Sequence, residues 1–226
     1  MTDILPSHQI VHVAGTELWL LAAKAVWWPA RQTLLVADIH LGKAASYRAL
    51  GQPVPSGTTA SNLQRLDALL QVFTCQRLIF LGDFLHSAKG RTQRTLATLA
   101  EWRSRHPGLA ITLVRGNHDR HAGDPPAALG IEVVSEPLLL GPFALQHEPN
   151  PHARCHVLAG HVHPAFLLRG RGRQQVRLPC FAVGEQLTLL PSFGAFTGAF
   201  TLQPAIGQRV FVTADAGIWE VPATTL

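Results

Sequence analysis

Three short apolar runs constrain this chain more than any other feature: Thr33-Leu34-Leu35-Val36-Ala37, Leu78-Ile79-Phe80-Leu81 and Ile111-Thr112-Leu113-Val114. Each is continuously apolar rather than alternating, as a strand is when both of its faces are buried. Between them lie two segments with helical spacing, one carrying Leu63, Leu66, Leu69 and Leu70 and the other Leu96, Leu99 and Trp102. Strand, helix, strand, helix, strand is the order of a parallel sheet, whose ligands gather beyond the carboxyl ends of the strands. The stretch from Gly51 to Gly57 contains Pro53 and Pro55 and cannot be helical, so Thr58 or Thr59 is the expected N-cap of the first helix. Upstream, Val11–Val13, Leu18–Leu21 and Ala25–Trp28 read as strands, with Trp27 and Trp28 as core. After Gly130 the helical spacing stops, and short runs from Ile131–Val134 to Gly217–Val221 predict a second, mostly antiparallel half.

The 226 residues show no repeat and no polar linker, so residues 1–226 are expected to form a single domain. With 47% hydrophobic and 15% charged residues the chain is too apolar for disorder. The apolar run Leu18–Trp28 is interrupted by Lys24, too short for a bilayer and too late for a signal peptide, so no membrane partner is expected. The 3 cysteines are far apart, which fits a reducing cytoplasm better than a disulfide framework. The 12 histidines point instead to metal or proton chemistry.

Each strand of the first half ends in metal-competent residues. In order they are Asp38-Ile39-His40, Gly82-Asp83 and Gly116-Asn117-His118-Asp119, followed by Gly160-His161-Val162-His163. In an extended segment residues i and i+2 share a face, so Asp38 with His40, and His161 with His163, are placed to share a site. Singly these motifs are common; four in this order at strand ends are not.

The ordered set resembles the calcineurin-like metallophosphoesterase superfamily over roughly Leu34 to Pro164. The resemblance implies a mixed-sheet α/β/β/α sandwich of four layers and two divalent metal ions. It assigns Asp38, His40 and His163 to one ion, Asp83 to both, and Asn117, a lone histidine and His161 to the other. His118, His121, His147, His152 and His156 compete for the lone position; His147 is chosen because it ends the apolar run Phe143–Gln146. His152 reads as a loop imidazole and His156 as a satisfied core residue. His118 is the candidate general acid, and Asp119 is a candidate for orienting an imidazole or ligand. Of the residues near the motifs, Arg48 and Arg115 are the first candidates for substrate phosphate, ahead of Lys43, Arg91 and His86.

Two divalent ions carry +4 and the two aspartates remove two charges, so the site stays cationic and attracts a phosphate ester. Ions about 3.5–4 Å apart lower the pKa of a bridging water for in-line attack. Mixed nitrogen and oxygen donors suit Mn, Fe, Co, Ni or Zn, and the resemblance favours Mn²⁺. The segments His40–Ala44, Gly82–Ser87, Gln146–Pro149 and Leu190–Gly194 further resemble the bacterial ligase-associated DNA-damage-response branch. That branch implies a DNA endonuclease of a repair cluster, beside a DNA ligase, a helicase and an exonuclease-like protein. Arg169, Arg171, Arg173 and Arg177 read as a basic hairpin tip able to track a nucleic-acid backbone. No helix-turn-helix or zinc-finger signature occurs, so the expected DNA is single-stranded or irregular, without sequence specificity. The rival readings are a small-substrate phosphoesterase acting on a nucleotide or cyclic nucleotide, and a non-catalytic scaffold. The second is disfavoured because His118 and every ligand position are present.

Overall fold

The computed structural model describes residues 6–215 and 217–225. The first sheet has seven strands in chain order: β1 (His8–Val13), β2 (Thr16–Leu21), β3 (Ala25–Trp28), β4 (Thr33–Ala37), β5 (Arg77–Leu81), β6 (Ala110–Val114) and β7 (Ile131–Val134). β1 to β4 run antiparallel, and β4 to β7 run parallel. The helices are α1 (Lys43–Ala49), α2 (Thr58–Val72), α3 (Gln93–Ser104) and α4 (Asn117–Ala122). Alternate residues of the parallel strands face opposite ways. Leu34, Val36, Leu78 and Phe80 meet Leu63, Leu66, Leu99 and Trp102 of the helices, whereas Leu35, Ala37, Ile79 and Leu81 meet the second sheet. That two-sided burial is why these strands are apolar throughout.

The second sheet comprises β8 (Leu138–Leu140), β9 (Phe143–Gln146), β10 (His156–Ala159), β11 (Pro164–Arg169), β12 (Gln175–Val183), β13 (Leu187–Leu189), β14 (Phe200–Thr201), β15 (Arg209–Ala214) and β16 (Gly217–Glu220). Its order is β14-β11-β12-β13-β10-β9-β8, with β15 paired to β12 and β16 to β15. β10 lies parallel to both β9 and β13, so the sheet is mixed. Phe143, Leu145, Leu158, Phe181 and Phe211 form its inner face.

Two expectations are corrected. Ile131–Val134 pairs parallel with β6 and extends the first sheet instead of opening the second half. The expected α/β architecture of two mixed sheets with helices is present, and among the described residues every α-helix lies at or before Ala122. The N-cap of α2 is Gly57 at φ +93, not Thr58 or Thr59. The Thr59 hydroxyl instead accepts from the Gly42 amide at 3.1 Å and ties α2 to the loop after β4. Trp27 and Trp28 are core residues, as expected. No helix among the described residues is long and apolar enough to cross a membrane.

Lys24, in the β2–β3 turn, lines a cavity of about 920 Å³ together with Arg65, Leu178 and Pro179. Burial, assisted by the Arg65 charge, pushes its ammonium down from 10.5 to about 8. Below about pH 8 both folded and unfolded chains are protonated here, and the desolvation cost is felt in full. Between about pH 8 and 10.5 only the folded chain has released the proton, so this contribution to stability rises with pH. Lys24→Met is therefore expected to raise the calorimetric Tm at pH 7 by about 2–4 °C for each kcal/mol relieved. The gain fades by about pH 10, and an equal gain at both pH values would contradict a buried charge as its source.

Candidate metal centre

All seven candidate ligands converge beyond the carboxyl ends of β4, β5, β6, β9 and β10. In the first cluster the His163 Nε2 lies 3.5 Å from Asp38 Oδ1 and 3.3 Å from His40 Nε2. In the second, His147 Nε2 lies 2.8 Å from Asn117 Oδ1 and 3.0 Å from His161 Nδ1. Asp83 belongs to both, its Oδ2 3.6 Å from His40 Nε2 and its Oδ1 3.5 Å from His147 Nε2.

These distances place electron-rich atoms together. His147 Nδ1, 3.1 Å from the Leu81 carbonyl, must donate there, which turns the lone pair of Nε2 toward Asn117 Oδ1 and Asp83 Oδ1. Asp38 Oδ1 is buried and has no hydrogen-bond partner. Such an oxygen costs stability unless a cation meets it. Two sets of carboxylate, imidazole and amide donors around one shared carboxylate fit a pair of divalent ions of the borderline kind.

The backbone achieves this convergence by a route the sequence did not indicate. Asp38 (φ +54), His40 (φ +48), Asp83 (φ +51), His161 (φ +67) and His163 (φ +50) all lie in the left-handed region. The i, i+2 pairs therefore meet through tight reversals rather than through an extended segment. Each such residue costs on the order of 1 kcal/mol or more, and clusters of them persist where surrounding contacts over-determine them. Here Ser192 Oγ donates to the Asp38 carbonyl at 2.8 Å, and the Gly194 amide donates to it at 3.0 Å. The Leu190–Gly194 segment thus braces the first ligand, a role unassigned from sequence. Close packing adds a glycine requirement: a Cβ on Gly82 would strike the His147 ring, and one on Gly116 would lie 2.5 Å from Asp83 Oδ1.

Of the two partners expected for Asp119, an imidazole or a ligand, its hydrogen bonds act on the segments that carry the candidate ligands. Its Oδ1 accepts from the Phe84 and Leu85 amides, both at 3.0 Å, and its Oδ2 from the Gly116 amide at 3.0 Å. It clamps the loop that carries Asp83 to the start of α4, which carries Asn117 and His118. Burial pushes its carboxyl up to about 6, against the pull of those amides. Burial also raises the Asp83 carboxyl and lowers His40, where Lys43 and neighbouring imidazoles add to the effect.

His118 Nδ1 lies 2.7 Å from the His86 carbonyl and donates to it, so Nε2 is the nitrogen that faces Asp83 Oδ2, at 3.9 Å. The His86 ring stacks on His118 at 4.9 Å and its Nδ1 approaches His40 Nδ1 at 3.3 Å. Burial, then the charges of Lys43 and His118, push His86 down to about 4 and hold it neutral at pH 7. Lys43 is buried, and Asp83 and Asp38 draw its charge toward the site although burial dominates and lowers its pKa. Arg48 and Arg115 are engaged elsewhere. Arg48 donates to the carbonyls of Val54 and Pro55 at 3.3 and 3.1 Å, and Arg115 makes a two-pronged pair with Asp124 at 2.9 and 2.7 Å. His152 accepts from loop amides, and His156 is satisfied by Glu185 and Thr188.

Two adjoining clusters of metal-competent donors beyond the strand ends of a two-sheet α/β fold are those of a metal-dependent phosphoesterase, and the calcineurin-like phosphoesterase family model matches residues 32–140. The chain belongs to that family. Among solved structures it is similar to the Pseudomonas putida nuclease MPE, with 53% sequence identity and a TM-score of 0.83, over 95% of this chain and 100% of that one. Comparison with curated protein sequences finds no match.

Proposed function

We propose that the protein is a Mn²⁺-dependent phosphodiesterase that cuts DNA within the strand. Asp38, His40 and His163 hold one ion, Asn117, His147 and His161 the other, and Asp83 both. The observation that carries this reading is the single buried carboxylate facing two separate clusters of lone pairs. Bound divalent ions supply Lewis acidity for the phosphoryl oxygens and an acidified water. The chain's own groups do the rest. Asp119 fixes the loop and the helix start that orient Asp83 and His118. The His86 carbonyl holds the Nδ1–H of His118, so that Nε2 faces the site, and the imidazolium form, which carries a proton on Nε2 as well, would protonate the leaving oxygen. Lys43, beside both aspartates, adds positive charge for the phosphodiester. Arg48 and Arg115, if they contact substrate, must first exchange their present partners.

His161 is exposed and His163 half-buried, so a polymer can reach the site from solvent. The 53% identity to a nuclease supports DNA as substrate. The resemblance of Gly82–Ser87 and Leu190–Gly194 to the ligase-associated branch supports a cytoplasmic repair role beside a ligase, a helicase and an exonuclease. Circular single-stranded DNA with Mn²⁺ tests the reading, because a circle excludes exonuclease action. Linearisation that stops with chelator is the expected result. An intact circle alongside hydrolysis of bis(p-nitrophenyl) phosphate would leave the phosphoesterase chemistry and overturn the DNA assignment in favour of a small substrate.

A further inference from the structure

The segment after the last candidate ligand combines two features that the chemistry at the metal centre does not use. One is positive charge: between His163 and Asp215 the only carboxylate side chain is Glu185, against Arg169, Arg171, Arg173 and Arg177, and Arg209, which is paired with Glu220. The other is exposed aromatic surface. Phe196 is 57% and Phe200 62% exposed, and Phe196 is held at φ +58, a conformation disfavoured for a bulky residue. Water-facing phenyl rings on a strained backbone stabilise nothing in the isolated chain.

The aromatic segment adjoins the metal centre, and the arginines lead away from it. The Phe200 amide donates to the His163 carbonyl at 3.0 Å, and His163 Nδ1 donates to the Gly198 carbonyl at 3.0 Å. The loop carrying the two phenyl rings is therefore tied directly to a candidate ligand. β11 leaves His163 and carries the chain about 20 Å along its six residues to the tip, where Arg169, Arg171 and Arg173 are exposed. Arg177, returning on β12, reaches the Ala199 carbonyl at 3.5 Å and joins the arginine hairpin to the phenylalanine loop. Aromatic faces beside a row of cations are the means by which proteins hold unpaired nucleotides, with bases stacked and phosphates paired.

We propose that Phe196 and Phe200 form a base-stacking platform, and the Arg169–Arg177 hairpin a phosphate track, that together lead an unpaired DNA strand to the metal centre. The proposal deepens the nuclease reading and rests on it for the fate of the strand, but binding itself can be measured without cleavage. The probe is a short fluorescently labelled oligothymidylate, titrated by anisotropy in the presence of chelator. Phe196→Ala/Phe200→Ala is expected to weaken its binding about 10-fold or more, since stacking is removed at two positions. Phe196→Tyr/Phe200→Tyr should restore it, and binding of a paired duplex should respond far less because its bases are already stacked. Replacing Arg171 and Arg173 by Gln should flatten the dependence of log affinity on log salt by about 1.4, at about 0.7 for each phosphate that is no longer neutralised.

Unchanged oligothymidylate affinity in the double alanine variant would overturn the proposal, including the case in which the same variant converts a dimer to a monomer and so marks an interface between copies. So would an equal loss of bis(p-nitrophenyl) phosphate hydrolysis and of DNA cleavage, because the small diester has no neighbouring bases and the loop would then serve only to hold His163. Tight binding that depends on the phenyl rings, with the circle left uncut, would support the platform and refute the nuclease reading.

Discussion

Asp83→Asn is expected to lower phosphodiester hydrolysis by about 10³-fold or more, beyond the cost of losing one stabilising donor. The reason is the division of labour within one carboxylate. Oδ2 faces His40 of the cluster with Asp38 and His163, and Oδ1 faces His147 and accepts from the His118 amide at 3.0 Å. An asparagine of the same shape offers one oxygen and one N–H group, so it can ligate on one side only and presents a donor to the other. Metal analysis of the purified variant should find at most one tightly held ion for each chain, against the two expected of the parent. The substitution should not unfold the metal-free protein. Burial already holds the Asp83 carboxyl above its usual range, so its negative charge is a burden there until a cation arrives. A variant that retains two ions and loses activity would move Asp83 from shared ligand to some other role.

His118→Ala should leave both ions bound and yet slow DNA cleavage by about 10²–10⁴-fold, the usual contribution of a general acid. The geometry explains the separation. Nδ1 is committed to the His86 carbonyl at 2.7 Å, and Nε2 stands 3.9 Å from Asp83 Oδ2, beyond hydrogen-bond distance. The ring is thus oriented by the backbone, with Nε2 beside the carboxylate assigned to both ions. A sugar hydroxyl leaves poorly unless protonated, whereas p-nitrophenolate leaves without help. The loss should therefore be much larger for DNA than for bis(p-nitrophenyl) phosphate in single-turnover measurements. Equal losses on both substrates, with metal content intact, would show that His118 acts on something other than the leaving oxygen.

The two variants separate the layers of the site. Under the proposed function Asp83→Asn should fail at holding the ions and His118→Ala at delivering the proton. Asp119 supports both through backbone amides alone, so its loss should be felt as a loosening of two segments rather than as a missing proton.

The parallel half of the fold was legible because its strands are buried on both faces, and two-sided burial writes a continuous apolar run into the sequence. The residue types at the ends of those strands were legible too, since carboxylate, imidazole and amide donors in a fixed order leave few chemistries open. His147 is preferred to four other histidines because it alone ends an apolar strand, and the structure puts its ring beside Asn117 and His161; His156, inside a strand, is bonded to Glu185 and Thr188. What only the tertiary structure decided is how those donors meet. The left-handed backbone at Asp38, His40, Asp83, His161 and His163 has no local signature, because it is imposed by contacts from distant segments such as Ser192 and Gly194. The same holds for the partners of charged side chains. Arg48 and Arg115 lie next to the motifs in sequence, but a guanidinium on a long flexible stem bonds whatever the fold brings near it, here Val54, Pro55 and Asp124. Local sequence therefore determined which atoms were available to a cation, and long-range packing determined that they face one another across a single shared carboxylate.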